Sequence, residues 1–203
     1  MAANNLGELR ALVKDWGNRT DISDPTLNSF INIAQDRATR VLRLPVSEAF
    51  TTIAVSNNTL ILPSNYIETK SLTIGINGRT VELQRKDLAF VSKQISNETG
   101  QPKYFARKQN KFIIGPSSTI TAADLYYYYA TANLVNDTDT NWFVEQATSM
   151  LIYGSLVELS LYTKNPEEAA QWESKFRAEA AELVQMADNA DWSGSSISII
   201  PMR

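Results

Sequence analysis

Cysteine and histidine are both absent from the 203 residues. Without cysteine there is no disulfide framework, no thiolate metal site and no cysteine nucleophile. Without histidine, the commonest general base and the commonest zinc ligand are gone, and most Ser-His-Asp and His-metal chemistry goes with them. A basic excess is also missing. The net charge is −3 and the pI about 5.1, whereas a dedicated nucleic-acid binder carries surplus Lys and Arg. No apolar run reaches the roughly 18 residues a membrane helix needs. The opening MAANNLGELR lacks the basic and apolar regions of a signal peptide. Sequons at Asn18, Asn57, Asn97 and Asn136 therefore read as chance matches, and the expected setting is a cytoplasm or particles assembled there.

Core-forming material is present: 43% of the residues are hydrophobic, in a chain long enough to bury about 70% of its extended surface. Leu6, Leu9, Val13 and Trp16 fall on one face of a first helix that Asn5 can cap and Gly17 stops. Asp24-Pro25 is a strong second start, with Asp24 read as the cap and Pro25 as the first helical residue. Leu27, Phe30, Ile31, Ala34, Ala38, Val41 and Leu42 line one stripe of that helix. Arg37, Arg40 and Arg43 stand three apart on another side. They read either as a solvated face favouring the helix C-terminus or as a contact for phosphate or an acidic partner.

From Phe50 the period changes to two. Residues 50–55 and 59–62, around Asn57-Asn58, read as a hairpin. Leu72, Ile74 and Ile76 alternate before Asn77-Gly78, a type I′ turn signal, and residues 79–84 return. A short helix is expected over 87–95, then a hairpin turning at Gln109-Asn110. The last strand, 124–131, contains four consecutive tyrosines. Alternation puts Tyr126 and Tyr128 on one face and Tyr127 and Tyr129 on the other, so either both faces are covered within the subunit or one face meets a neighbouring chain. Tyr127 and Tyr129 are taken as the interface pair.

Asp137-x-Asp139 lacks the Gly and the distant Glu of an EF-hand, so capping outweighs metal binding there. A long, mostly buried helix is expected over 142–163, with Gly154 allowing close approach and Glu158 as a paired or rim carboxylate. Asn165-Pro166-Glu167-Glu168 starts another helix after so short a connection that the two must form an antiparallel hairpin. Beyond Ser193-Gly194-Ser195-Ser196 comes an apolar tail, in which Ile197, Ile199, Ile200 and Met202 are docking candidates. The series predicts an α+β protein. Residues 1–47 and 133–190 form a helical bundle, two N-terminal helices plus a C-terminal antiparallel hairpin. Residues 48–132 are an inserted antiparallel β module and 191–203 an extended C-terminal arm. No catalytic, cofactor or metal site is visible, so the residues alone describe a building block that binds other proteins.

Several pieces in order resemble the head-to-tail adaptors of short-tailed bacteriophages, the tail tubular protein A-like family. They are Leu62-Pro63-Ser64-Asn65-Tyr66, Asn77-Gly78-Arg79, Thr99 to Phe105, Phe112 to Pro116, Tyr126 to Ala130, Thr140-Asn141-Trp142, and the final helix pair through Trp172. The resemblance covers nearly the whole chain. It implies a virion protein without catalysis: a ring, typically twelve-fold, between the portal protein and the tail nozzle protein. Such a ring extends the channel through which double-stranded DNA passes without being held. No membrane partner is implied. The alternatives are a wall-degrading glycosidase built on carboxylates such as Glu158, Asp137 and Asp139, and a non-viral scaffold module.

Overall fold

The computed structural model describes residues 3–192. Helices α1 (Leu6–Trp16) and α2 (Asp24–Val41) come first. Strands β1 (Glu48–Ala54), β2 (Thr59–Ile61), β3 (Tyr66–Ile76), β4 (Arg79–Glu82) and β5 (Gln84–Arg85) follow, then α3 (Leu88–Asn97). After β6 (Tyr104–Lys108), β7 (Lys111–Gly115) and β8 (Ala122–Tyr129) the chain is helical again: α4 (Trp142–Gln146), α5 (Thr148–Tyr162) and α6 (Pro166–Trp192). It divides into two compact units, one of residues 1–46 with 131–203 and the other of residues 47–130.

The helical unit is built around α5, which is buried on nearly every side. Gly154 is what allows α2 so near: a methyl group there would stand 2.7 Å from the Ala34 Cβ and 3.1 Å from the Phe176 ring. Trp16, Tyr153 and Trp172 meet with ring centroids about 6 Å apart and tie α1, α5 and α6 together. The Asn165 side chain takes the Glu168 N–H, and the Glu168 carboxylate takes the Asn165 side-chain amide at 2.9 Å, so the expected start box of α6 is present.

Three local expectations are corrected. Ser23 holds the N-cap position of α2 without a side-chain bond to the backbone, its hydroxyl 2.8 Å from that of Thr26, and Asp24, the first helical residue, binds Lys14 at 2.7 Å. The single helix expected over 142–163 breaks at Ala147 (φ −132°, ψ 34°), where the Thr148 hydroxyl donates to the Val144 carbonyl that a continuous helix would offer to a backbone N–H. Val41, assigned to the core, is 64% exposed because the inward stripe of α2 ends at Ala38.

The second unit packs two four-stranded sheets, ordered β1-β8-β3-β4 and β2-β7-β6-β5. Leu72, Ile74 and Leu125 from the first sheet meet Leu60, Phe105, Phe112 and Ile114 from the second. Helix α3, capped by the Asp87 carboxylate, covers the back of the second sheet through Val91, Ala106 and Ile113. The Asn77-Gly78 turn closes β3 onto β4 with both residues at positive φ, as expected.

The expected hairpin of residues 50–55 with 59–62 is a corner instead: β1 pairs with β8 and β2 with β7. Asn57 and Asn58 turn the chain at positive φ, and only Ser56 and Thr59 bridge. The Asn58 side chain then bonds Ser117 and the Ser118 N–H, each at 3.0 Å, which fixes the corner. The short β5–β6 pair is parallel, so the module is not wholly antiparallel.

Candidate functional site

The first sheet has one face in the core and one face open. Ala123, Leu125 and Tyr127 of β8 point inward and are buried, while Asp124, Tyr126 and Tyr128 point out. This reverses the expected orientation of the tyrosines. Tyr127 is only 6% exposed, stacks on Tyr66 with centroids 6.0 Å apart, and directs its hydroxyl to Asn65 at 3.2 Å. Tyr129 is partly buried against the same core.

The open face carries a different aromatic pair. Phe50 sits opposite Tyr126 in the β1–β8 register, with ring centroids 4.7 Å apart and exposures of 54% and 43%. Around them, Glu48 pairs with Lys70 at 2.5 Å and the Thr52 hydroxyl donates to Asp124 at 2.6 Å. Burial pushes the Tyr128 phenol above its ordinary value, and the adjacent Glu48 carboxylate adds to the effect. An exposed aromatic pair ringed by satisfied polar groups has the chemistry of a protein contact.

Arg37 and Arg40 of α2 and Arg43, just beyond its end, do not act together. Arg37 lies between Glu173 at 2.6 Å and Glu158 at 3.6 Å, over the Phe176 ring at 4.7 Å. Its acidic partners are therefore within the chain, and Glu158 is the paired carboxylate expected of it. Burial works to raise the Glu173 carboxyl, but the hydrogen bonds from Arg37 and Arg177 outweigh it and hold that group below its ordinary value. Arg43 instead turns back to the Thr39 and Leu42 carbonyls at the end of α2, and Arg40 occupies the last turn, where the helix dipole favours a cation. Beside the Arg37 cluster, α2 and α6 enclose an apolar groove of about 640 Å³ lined by Val41, Phe176, Ala180 and Val184.

The remaining acidic candidates have separate structural tasks. Asp137 pairs with Arg10 at 2.9 Å, and its backbone carbonyl accepts from the Gly7 N–H of the first turn of α1. The Asp139 carboxyl is held below its ordinary value by the N–H groups of Asn136 and Val135, closing its own loop. Asn141 caps α4, taking the Phe143 and Val144 N–H groups. Among the described residues no three acidic side chains gather as a metal site, and no helix is long and apolar enough to cross a membrane. The arm residues Ile197, Ile199, Ile200 and Met202 lie outside the described residues.

Sequence reasoning missed the Phe50–Tyr126 pair and the groove. Asp124 was the available signal for the first, since its face of β8 is the one expected to meet water. Val41 was the signal for the second, an apolar residue one step past the regular stripe of α2.

A family model described as SU10 adaptor protein matches residues 4–198. No curated protein matches the chain.

Proposed function

The chain belongs to the SU10 adaptor protein family and is a phage head–tail adaptor, a structural virion protein without a catalytic role; from that premise we propose that its copies close into a ring between the portal and the tail nozzle. The proposed ring is twelve-fold, the symmetry carried by the tail tubular protein A-like adaptors that the ordered motifs resemble. Its bore continues the DNA channel.

The open aromatic face of the first sheet is the main support for this reading. A head-to-tail ring contact is heterologous, so each subunit needs two unlike patches. Phe50 and Tyr126 on the open sheet face offer one, and the apolar groove of the helical unit has the character of another. A mildly acidic subunit suits a conduit, because phosphate neutralisation by Lys and Arg would hold the DNA in place. In this proposal the helical unit and the arm, residues 191–203, meet the portal, and the β-rich unit serves subunit and tail contacts. Tyr129, at the end of β8, belongs to the subunit contact only through its exposed edge. Arg40 and Arg43 are proposed contacts for an acidic partner.

Electron microscopy of the protein alone and mixed with portal rings tests the proposal. Twelve-fold density capping the portal is expected, and the Phe50→Ala/Tyr126→Ala pair should reduce ring occupancy while leaving monomer stability nearly unchanged. Single subunits in both samples, or portal complexes indifferent to the double substitution, would overturn it.

A further inference from the structure

The first sheet ends on two edges, β1 and β4, that pair with no further strand among the described residues. Natural sheets blunt such edges by shortness, charge or proline. The second sheet follows that rule: its outer strands β2 and β5 have three and two residues. Strand β1 does not. It runs for seven residues, and from Ala49 to Ala54 it carries neither charge nor proline. An edge of that kind is a template for another strand.

The hydrogen-bond phase of the sheet decides which backbone groups are on offer. Val55 donates to the Thr121 carbonyl, so Thr51 and Ile53, in step with it, bond inward to β8. Phe50, Thr52 and Ala54 therefore turn their N–H and C=O groups outward. At the other edge Leu83 donates to the Leu72 carbonyl, so Val81 bonds inward to β3 while Thr80 and Glu82 turn outward. One row, Thr52–Asp124–Thr73–Glu82, crosses all four strands, and its side chains share the open face with Asp124. On the core-facing side each edge ends in a half-buried aliphatic residue packed against the core, Ile53 on β1 and Val81 on β4. Three antiparallel steps separate β1 from β4, so the two edges run in opposite directions.

We propose that β4 of one copy pairs antiparallel with β1 of the next, so that the first sheet continues from subunit to subunit. The proposal deepens the subunit contact of the ring and rests on that reading. A rotation about an axis along the strands keeps the two edges opposite in sense, and their unlikeness gives the heterologous contact a ring needs. Continuing the row sets the register. Thr52 exchanges backbone hydrogen bonds with Glu82 of the next copy, and Ile53 meets Val81 of the next copy, which completes the burial of both. Phe50, two residues along β1, stands beside the seam on the open face.

The absence of native cysteine gives a direct test. Within one chain, positions 53 and 81 lie three strand spacings apart, ~14 Å, beyond the reach of a disulfide, so every bond formed is between chains. On oxidation of the full chain, alone and mixed with portal rings, Ile53→Cys/Val81→Cys should give a ladder of covalent oligomers. A mixture of the two single variants should stop at dimers, and neither single variant should dimerise alone. Thr52→Cys/Val81→Cys, whose thiols stand on opposite faces, should react about tenfold more slowly. Adding Thr80→Pro to the first pair removes one outward N–H at an edge that tolerates proline, and should slow the ladder about fivefold with the circular dichroism spectrum unchanged. Rings seen by electron microscopy without the ladder would overturn the edge pairing and leave the ring reading standing. A ladder of open chains that never closes would keep the edge pairing and overturn the ring. Neither rings nor ladder would overturn both. Equal rates for the two cysteine pairs, dimers of Ile53→Cys alone, or a ladder indifferent to Thr80→Pro would each overturn the pairing.

Discussion

Gly154→Ala isolates the close approach of α2 to α5. Helix propensity alone favours the change by about 1 kcal/mol. Packing opposes it. The new methyl would stand 2.7 Å from the Ala34 Cβ, which is fixed to a helix backbone and cannot swing away, and 3.1 Å from the Phe176 ring. Overpacking of this kind costs about 1–3 kcal/mol. The net expectation is a helical unit destabilised by about 1 kcal/mol. In an Ala34→Gly background the tightest contact is gone, so Gly154→Ala should turn neutral or stabilising, a coupling of about 1–2 kcal/mol between neighbouring sites. All four tryptophans, Trp16, Trp142, Trp172 and Trp192, belong to the helical unit, so intrinsic fluorescence in urea follows that unit rather than the β-rich one. At a slope of about 1–3 kcal/mol/M, the loss moves the midpoint by about half a molar. A midpoint that rises in the unaltered background, or shifts equally in both, would refute the steric argument.

Two further predictions concern the same unit. Gln35 is fully buried; its amide donates to the Ala132 carbonyl at 3.0 Å and its carbonyl accepts from the capping Asn141 at 2.7 Å. Gln35→Leu strands both partners at about 1–3 kcal/mol each, so the fluorescence-detected urea midpoint should fall by more than for Gly154→Ala; an unchanged midpoint would show the pair is not a keystone. Acid should also weaken this unit. Asp21 is lowered by its bond from Arg19, Asp24 by Lys14, and Asp139 by the Asn136 N–H; in Glu173 burial is outweighed by Arg37 and Arg177. All four belong to the helical unit. A carboxyl lowered on folding stabilises above its unfolded value near ~4, and that contribution is lost as pH falls through the lower folded value. The fluorescence midpoint should therefore be level from pH ~7 to ~5 and drop towards pH ~3, and a flat profile would contradict the assignment.

Element types were legible where a local rule acts alone. Asn77-Gly78 and the Asn165 start box need only their own backbone geometry, and both appear as read. Strand partners were less so, because sequence proximity suggests a hairpin at residues 50–62 while the Asn58 side chain commits that turn to Ser117, some sixty residues away. The tyrosine face misled because four consecutive aromatics erase the difference between two sides of a strand. Only Ala123 and Asp124, just upstream, carry the polarity that decides it. Gln35 escaped notice because a polar residue within an apolar stripe looks like a boundary, and its partners stand about a hundred positions later.

The pairing of β1 with β8 has a consequence for how the protein is made. Glu48 lies opposite Tyr128, so the two ends of the β-rich unit emerge side by side. During synthesis α1 and α2 leave the ribosome first and wait for α5 and α6 before their shared core can close. If the intervening unit folds meanwhile, a flexible connection of roughly 80 residues becomes a pinned gap of a few. The entropic cost of joining the two halves of the helical unit then falls by about 2–3 kcal/mol. Folded in that order, the insertion would act as a clasp that holds the waiting helices within reach of their late-arriving partners.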